Sequence, residues 1–256
     1  LGGPGAKGRD RPKLVGRKRR GAAKKATPVG SIAEQVIAFC QTLIVTSGKF
    51  AGTPLRLRDW QLRIIGAIYA ETGGERLVRT ALITMPRKNG KTQLAAALAL
   101  CHMLGPVSES RGQVYSAAAD LIQASLIFNE VEAFIMADEG LQERCNVQRF
   151  AKKIEVLSGP GAGTIYRPLT SDARKAHGLS PSFAIYDELA QAPDRNLYDN
   201  LRTGTGARDH PLFIVISTQS ADPNHVMSEA VDYAEQVLKG DVKDPHFFAF
   251  IAQAPM

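Results

Sequence analysis

Met85-Pro86-Arg87-Lys88-Asn89-Gly90-Lys91-Thr92 is the stretch on which the fold turns. Residues 77–85 before its end (LVRTALITM) form a short β-branched run bounded by turn residues, the pattern of a strand. Residues 91–104 after it are rich in Ala and Leu and close on Gly105-Pro106, the pattern of a helix. A Gly-Lys-Thr at such a strand-to-helix junction is where a loop can cradle phosphate. Gly90 lets backbone amides approach the phosphates, and the helix N-terminus adds partial positive charge. Lys91 is placed to reach the β and γ phosphates and the Thr92 hydroxyl to ligate Mg²⁺. Met85 stands where the usual GxxxxGK[ST] pattern has its first glycine, so this string alone is an incomplete match.

Outward from the loop, strand and helix signals alternate. Upstream, residues 31–40 carry Ile32, Val36, Ile37, Phe39 and Cys40 at helical spacing. A Gly-containing turn over 47–54 follows, then a helical segment over 57–70 with Trp60, Ile64, Ala67 and Ile68, ended by Gly73-Gly74. Downstream, Gln113–Ala118 reads as a strand, and Asp120 offers an N-cap to a helix whose Ala124, Phe128, Val131 and Ile135 share one face. Residues 153–157 and 164–169 read as short strands around the turn Gly159-Pro160-Gly161. Residues 183–186 (FAIY) and 211–216 (PLFIVI) are buried-strand runs with a helical segment over 194–201 between them, and 247–252 (FFAFIA) is a last strand-like run. Apolar strands alternating with helices predict an α/β fold, a mainly parallel sheet flanked by helices on both faces. The last run, with nothing built after it, reads as a chain that stops before its next unit begins.

The strand over 183–186 runs straight into Asp187-Glu188. One carboxylate there can stand beside a Mg²⁺ ion while its neighbour polarises a water, which casts Asp187 as the metal carboxylate and Glu188 as a general base. An isolated Asp-Glu is more often a pair of solvated acids; following a Gly-Lys-Thr, the pair gains meaning. The next apolar strand ends in Ser217-Thr218-Gln219-Ser220, small polar groups that can sense a γ-phosphate and relay its loss. Gln61, in Arg58-Asp59-Trp60-Gln61, carries an amide able to read the edge of adenine.

Composition narrows the class. With 256 residues, 44% hydrophobic and 22% charged, the chain is an ordinary globular mixture, which excludes collagen-like, mucin-like and wholly disordered readings. The apolar stretch over 94–101 falls short of the roughly 20 residues a membrane span needs. Three cysteines, Cys40, Cys101 and Cys145, are far apart without a CxxC pair, which points away from a disulfide framework and toward a reducing compartment. His102, His210, His225 and His246 have no ligand spacing. Ten Lys or Arg within residues 1–25 face only Asp10, while the whole chain is +7, so the rest is slightly acidic. Residues 1–30 are therefore read as a disordered basic tail, a solvated leader or an arm for nucleic acid phosphates.

RDWQ, PRKNGKT, LTSDARKAHGLSPSFAIYDE and ISTQS, in that order, resemble the ATPase half of the large terminase subunit of tailed bacteriophages. The resemblance covers residues 31–256 and implies a P-loop NTPase of the ASCE/RecA-like type using ATP and Mg²⁺. By the same resemblance Pro86, Arg87, Lys88, Asn89, Gly90, Lys91 and Thr92 form the ATP loop, with Arg87 and Lys91 acting in catalysis. Thr92 and Asp187 hold the metal, Glu188 is the catalytic base, Ser217, Thr218 and Gln219 are the coupling motif, and Gln61 contacts adenine. Family phosphate loops often lack the first glycine, which accommodates Met85. The implied partners are double-stranded DNA, the portal protein of a procapsid, the small terminase subunit and other copies in a ring, in the host cell cytoplasm and away from membranes. Two departures stand out: no room after Phe250 for the family's C-terminal nuclease domain, and no distinct trans-acting arginine, with Arg87, Arg144, Arg149, Arg167 and Arg174 all candidates. A helicase-like ATPase and a hydrolytically idle DNA-binding module are the competing readings.

Overall fold

The computed structural model describes residues 30–86, 89–171 and 178–252. The basic tail through residue 29, Arg87, Lys88, Arg174 and His177 lie outside them. Elements follow in chain order: helices α1 (Ile32–Thr42) and α2 (Asp59–Ile68), the hairpin β1 (Glu71–Thr72) and β2 (Glu75–Arg76), strand β3 (Thr80–Thr84) and helix α3 (Lys91–Leu104). Then come β4 (Gln113–Ala118), α4 (Leu121–Met136), α5 (Glu139–Gln142), β5 (Cys145–Gln148), β6 (Lys153–Val156) and β7 (Ile165–Thr170). The series closes with β8 (Phe183–Asp187), α6 (Asn196–Gly204), β9 (Leu212–Ser217), α7 (Val226–Lys239) and β10 (Phe247–Ile251). The predicted elements are present, with the strand over 77–85 shortened to β3. The β1–β2 hairpin, α5, β5 and α7 were not anticipated: the first three are short and carry little apolar signal, and α7 buries only a narrow stripe.

Eight strands form one sheet in the order β10-β3-β9-β8-β4-β7-β6-β5. Neighbours from β10 to β7 are parallel, and β7, β6 and β5 are antiparallel. Each central strand is apolar on both sides because both faces are covered. Ala81, Ile83, Phe183, Ile185, Leu212 and Ile214 join the core under α1 to α4; Leu82, Ala184, Tyr186, Phe213 and Val215 join the core under α6 and α7. Period-2 alternation thus persists with apolar residues in both phases, as a doubly covered parallel sheet demands. α3 is the central helix: every residue from Leu94 through Leu104 is buried, which matches a sequence apolar all round.

Local chemistry sets the ends of the helices. Ser31 accepts from the Glu34 amide while Glu34 accepts from the Ser31 amide, a reciprocal cap on α1. Asp120 Oδ1 accepts from Gln123 N at 2.9 Å, the cap expected for α4. The Gly159-Pro160-Gly161 turn presses against the end of α3 so closely that a Cβ on Gly161 would lie 1.9 Å from Met103 O.

His102 is sealed inside this core, stacked on Phe183 with ring centroids 4.2 Å apart and its Nε2 2.9 Å from Tyr69 Oη. Burial, helped by the Arg76 charge, holds its pKa well below the ordinary 6.5. Below that value the unfolded chain binds a proton that the folded chain refuses, so stability falls as pH drops through 6.5. In urea unfolding between pH 7.5 and 5, His102→Gln should remove up to about 1.4 kcal/mol per pH unit of that loss. An unchanged pH slope would contradict this account.

Candidate functional site

The strand order assembles the site. Because β9 lies between β3 and β8, the C-terminal ends of three strands far apart in sequence stand side by side: Thr84 pairs with Ser217, and Asp187 with Ile216. Ligand sites in open parallel sheets form at this edge.

On β3 the chain leaves through Met85, whose amide donates to Ser217 O at 3.1 Å and whose side chain is buried in the core. Met85 is therefore the last sheet-bonded residue rather than part of the turn, which explains why a large apolar residue replaces glycine there. Asn89 Nδ2 donates to Pro86 O at 3.2 Å across the loop. Gly90 has φ 77° and ψ 28°, a left-handed conformation that costs an L-residue about 1–2 kcal/mol, and open space lies where its Cβ would be. α3 starts immediately after it without a side-chain cap among the described residues. Its first amides thus have no capping side chain, an arrangement suited to an anion.

Lys91 Nζ lies 3.2 Å from Glu188 Oε2, with both side chains only 10% exposed. Glu188 follows β8 in a left-handed conformation (φ 56°, ψ 53°) and is held there by its amide, which donates to Ile216 O at 2.8 Å. Its Oε1 accepts from the Thr218 amide at 2.9 Å, from Thr218 Oγ1, and from Ser217 Oγ at 3.5 Å. Strained backbone held by several contacts is common where geometry serves function. Burial alone would raise the Glu188 pKa, but the two Thr218 hydrogen bonds and the Lys91 charge together hold it below the usual carboxylate value. Asp187, at the end of β8, behaves oppositely: burial pushes it up to about 6 against the opposing pull of Lys91, and it has no ion pair among the described residues.

The structure thus brings together Asn89, Gly90, Lys91, Thr92, Asp187, Glu188, Ser217 and Thr218 at one edge. Ser217 and Thr218 touch the acidic residue Glu188 directly, a contact no sequence spacing discloses. Gln219 is exposed beyond them. Gln61 is buried, and its Oε1 accepts from the Arg58 amide at 2.8 Å, capping α2. Among the arginine candidates, Arg144 donates to Leu104 O at 3.2 Å, Arg149 pairs with Glu132, and Arg167 is an exposed residue of β7. A cavity beside α3, walled by the 45–58 segment, went unrecognised in sequence because its residues carry no shared motif.

A phosphate-type loop and an acidic strand end separated by one intervening parallel strand define a P-loop nucleotide-binding domain of the RecA-like class. A family model described as the terminase large subunit, ATPase domain, matches residues 59–236. The terminase large subunit of Enterobacteria phage HK97 is 36% identical over 225 residues, spanning 87% of this chain and 42% of that protein. The crystal structure of the HK97 bacteriophage large terminase superposes with a TM-score of 0.75 at 32% identity, covering 88% of this chain and 45% of that one. The Thermus phage P74-26 large terminase ATPase domain shares the fold at TM-score 0.56 and 20% identity, over 77% of this chain and 81% of that one. The chain belongs to the terminase large subunit ATPase domain family, and it spans less than half the length of its HK97 relative.

Gly90→Ala should lower unfolding stability by about 1–2 kcal/mol through the left-handed backbone, since no neighbour among the described residues crowds the new methyl. Denaturant midpoints would show it; an unchanged midpoint would mean the loop relaxes to another conformation.

Proposed function

We propose that this chain hydrolyses ATP and, as part of a larger motor, uses the energy to move double-stranded DNA into a viral procapsid. The observation that carries this reading is the clasp at the sheet edge: Glu188, fixed by Thr218 on one oxygen and by Lys91 on the other. A loop for the triphosphate stands on one side of it and a buried carboxylate on the other. The donor set fits Mg²⁺. A hydroxyl at Thr92 and the Asp187 carboxyl, raised in pKa by burial and without an ion pair among the described residues, are hard oxygen ligands of the sort the ion takes. Those two residues would hold it, and it would supply charge neutralisation on the phosphate oxygens when bound.

The residues then divide the chemistry. The amides at the start of α3 and Gly90 hold the phosphates, with Pro86 to Asn89 forming the rest of the cradle. Lys91 exchanges its ion pair with Glu188 for the γ-phosphate. Glu188, released from that pair but still gripped by Thr218, orients a water in line with the phosphorus and accepts its proton as the bond to the β-phosphate oxygen breaks. ADP and phosphate result. When phosphate leaves, Lys91 returns to Glu188, and the Ser217 to Gln219 strand end that holds the same carboxylate shifts with it. An arginine offsets charge on the transferring group, supplied in cis by Arg87 or in trans by an arginine of a neighbouring copy.

Duplex DNA is held through its phosphates, with the basic tail as one contact, so binding is insensitive to sequence and weakened by salt. A ring of copies, a portal protein and a small terminase subunit complete the machine in the host cell cytoplasm. No helix among the described residues is long and apolar enough to cross a membrane.

Steady-state ATP hydrolysis with Mg²⁺ should rise with protein concentration and with duplex DNA, and Glu188→Gln should lower kcat by 10²-fold or more while nucleotide still binds. Undiminished turnover in that variant would refute the role of Glu188. Thr218→Val should lower kcat roughly tenfold and Thr218→Ser much less, because only the hydroxyl contact distinguishes them; equal rates in both would remove Thr218 from the clasp.

A further inference from the structure

A second cavity, of about 260 Å³, opens at the edge of the sheet opposite the phosphate loop. Its walls come from segments that lead into three parallel strands: Gly74 to Arg76 before β3, Pro106 to Glu109 before β4 and His210 before β9. Ile32 of α1 and His102 of α3 complete it. The N-terminal strand ends meet here, so the site stands apart from the nucleotide reading of the other edge.

Arg76 is the floor of the cavity. It is only 8% exposed, yet it has no ion pair among the described residues. Glu109, on the same wall, pairs with Arg208 instead, and Glu75 is exposed to solvent. Carbonyl oxygens hold the guanidinium: Nη1 donates to Val78 O, and Nη2 donates to His210 O at 2.6 Å and Pro211 O at 3.1 Å. Its Nε–H has no acceptor among the described residues. The Tyr69 ring, with its centroid 6.0 Å from Cζ, backs the group from one face. A guanidinium keeps its proton even when buried, so a rigid positive charge lines the cavity without a counter-ion, an unfavourable state that an arriving anion relieves.

The remaining wall selects which anion. The end of α3, whose carbonyls would repel one, is capped: Arg144 donates to Leu104 O at 3.2 Å, and the Ser108 hydroxyl to Gly105 O at 2.7 Å. One guanidinium balances one negative charge; a second charge would have no partner and would meet Glu75 and Glu109 on the wall. Ile32, Pro106 and Val107 offer apolar surface beside the charge, and the volume suits a body of a few carbon atoms. We infer that this cavity binds a monocarboxylate on a short aliphatic body, carried by a free acid or by the last residue of a polypeptide, with Arg76 on the carboxylate and Ile32, Pro106 and Val107 around the body.

The test follows amide NMR shifts of the intact, isotope-labelled chain during titration with isovalerate, isovaleramide, acetyl-Gly-Val and inorganic phosphate, repeated for Arg76→Gln and Val107→Trp. Isovalerate should saturate with a Kd of about 1 mM, as a small ligand with one charged contact would, moving the amides of residues 74–76 and 107–109 and leaving Gly90 to Thr92 unmoved. Isovaleramide, of the same shape without the charge, should bind about tenfold more weakly or worse, and Arg76→Gln should cost isovalerate a similar factor. Val107→Trp should abolish binding by filling the cavity with Arg76 intact; it decides the matter if Arg76→Gln does not fold, and an unchanged spectrum away from the cavity certifies its own fold. Acetyl-Gly-Val moving the same amides identifies a chain end as the source, and isovalerate alone a free acid. Phosphate binding as tightly as isovalerate overturns the choice of a monocarboxylate. Equal binding of acid and amide, or no shift at 74–76 and 107–109 with either acid, overturns the site.

Discussion

A parallel sheet leaves no face for water, and the rest of this molecule follows from that constraint. Its crossovers must be helices, and those helices must cover both sides. The covering splits the apolar residues of β3, β8 and β9 between two cores and makes α3 a helix buried on all sides. The strand ends and the first helical turns lie outside this covering. At the C-terminal edge, amides, hydroxyls and carboxylates from several rigid elements converge on one point that solvent can reach.

At that edge two carboxylates one residue apart are driven in opposite directions. Asp187 is largely buried without a paired cation among the described residues and rises to about 6; Glu188 is hydrogen-bonded and ion-paired and falls. Adjacent groups separated in this way can take separate roles, one as a ligand site for a cation and one as a base kept ionised. The Lys91 to Glu188 pair links phosphate loop and acidic strand end across β9, so a charge arriving at one must be felt by the other. Ser217 and Thr218 on the intervening strand grip the same carboxylate, which joins three segments of chain through a single side chain.

Much of the fold was legible because strong signals coincided with elements the core requires. Gln113–Ala118 and the start of α4 at its Asp120 cap were readable to the residue, since apolar periodicity and a capping side chain agree there. The β1–β2 hairpin and β5 were not, because two to four residues of mixed polarity carry no periodicity. At the site, the motif residues Gly90, Lys91, Thr92, Asp187 and Glu188 were visible by type and spacing. The incomplete glycine pattern was explained only when Met85 proved to be the end of a strand with its side chain in the core.

By itself the sequence determined the α/β class, the phosphate loop at a strand-helix junction and the acidic end of a later strand, because these depend on local composition and period. Tertiary structure decided which strand lies between which. That order sets Thr218 on Glu188, and helix packing gathers the 45–58 segment and Gln93 around one cavity. Contacts between segments of no shared pattern are fixed by packing and sheet order, which no window of sequence contains.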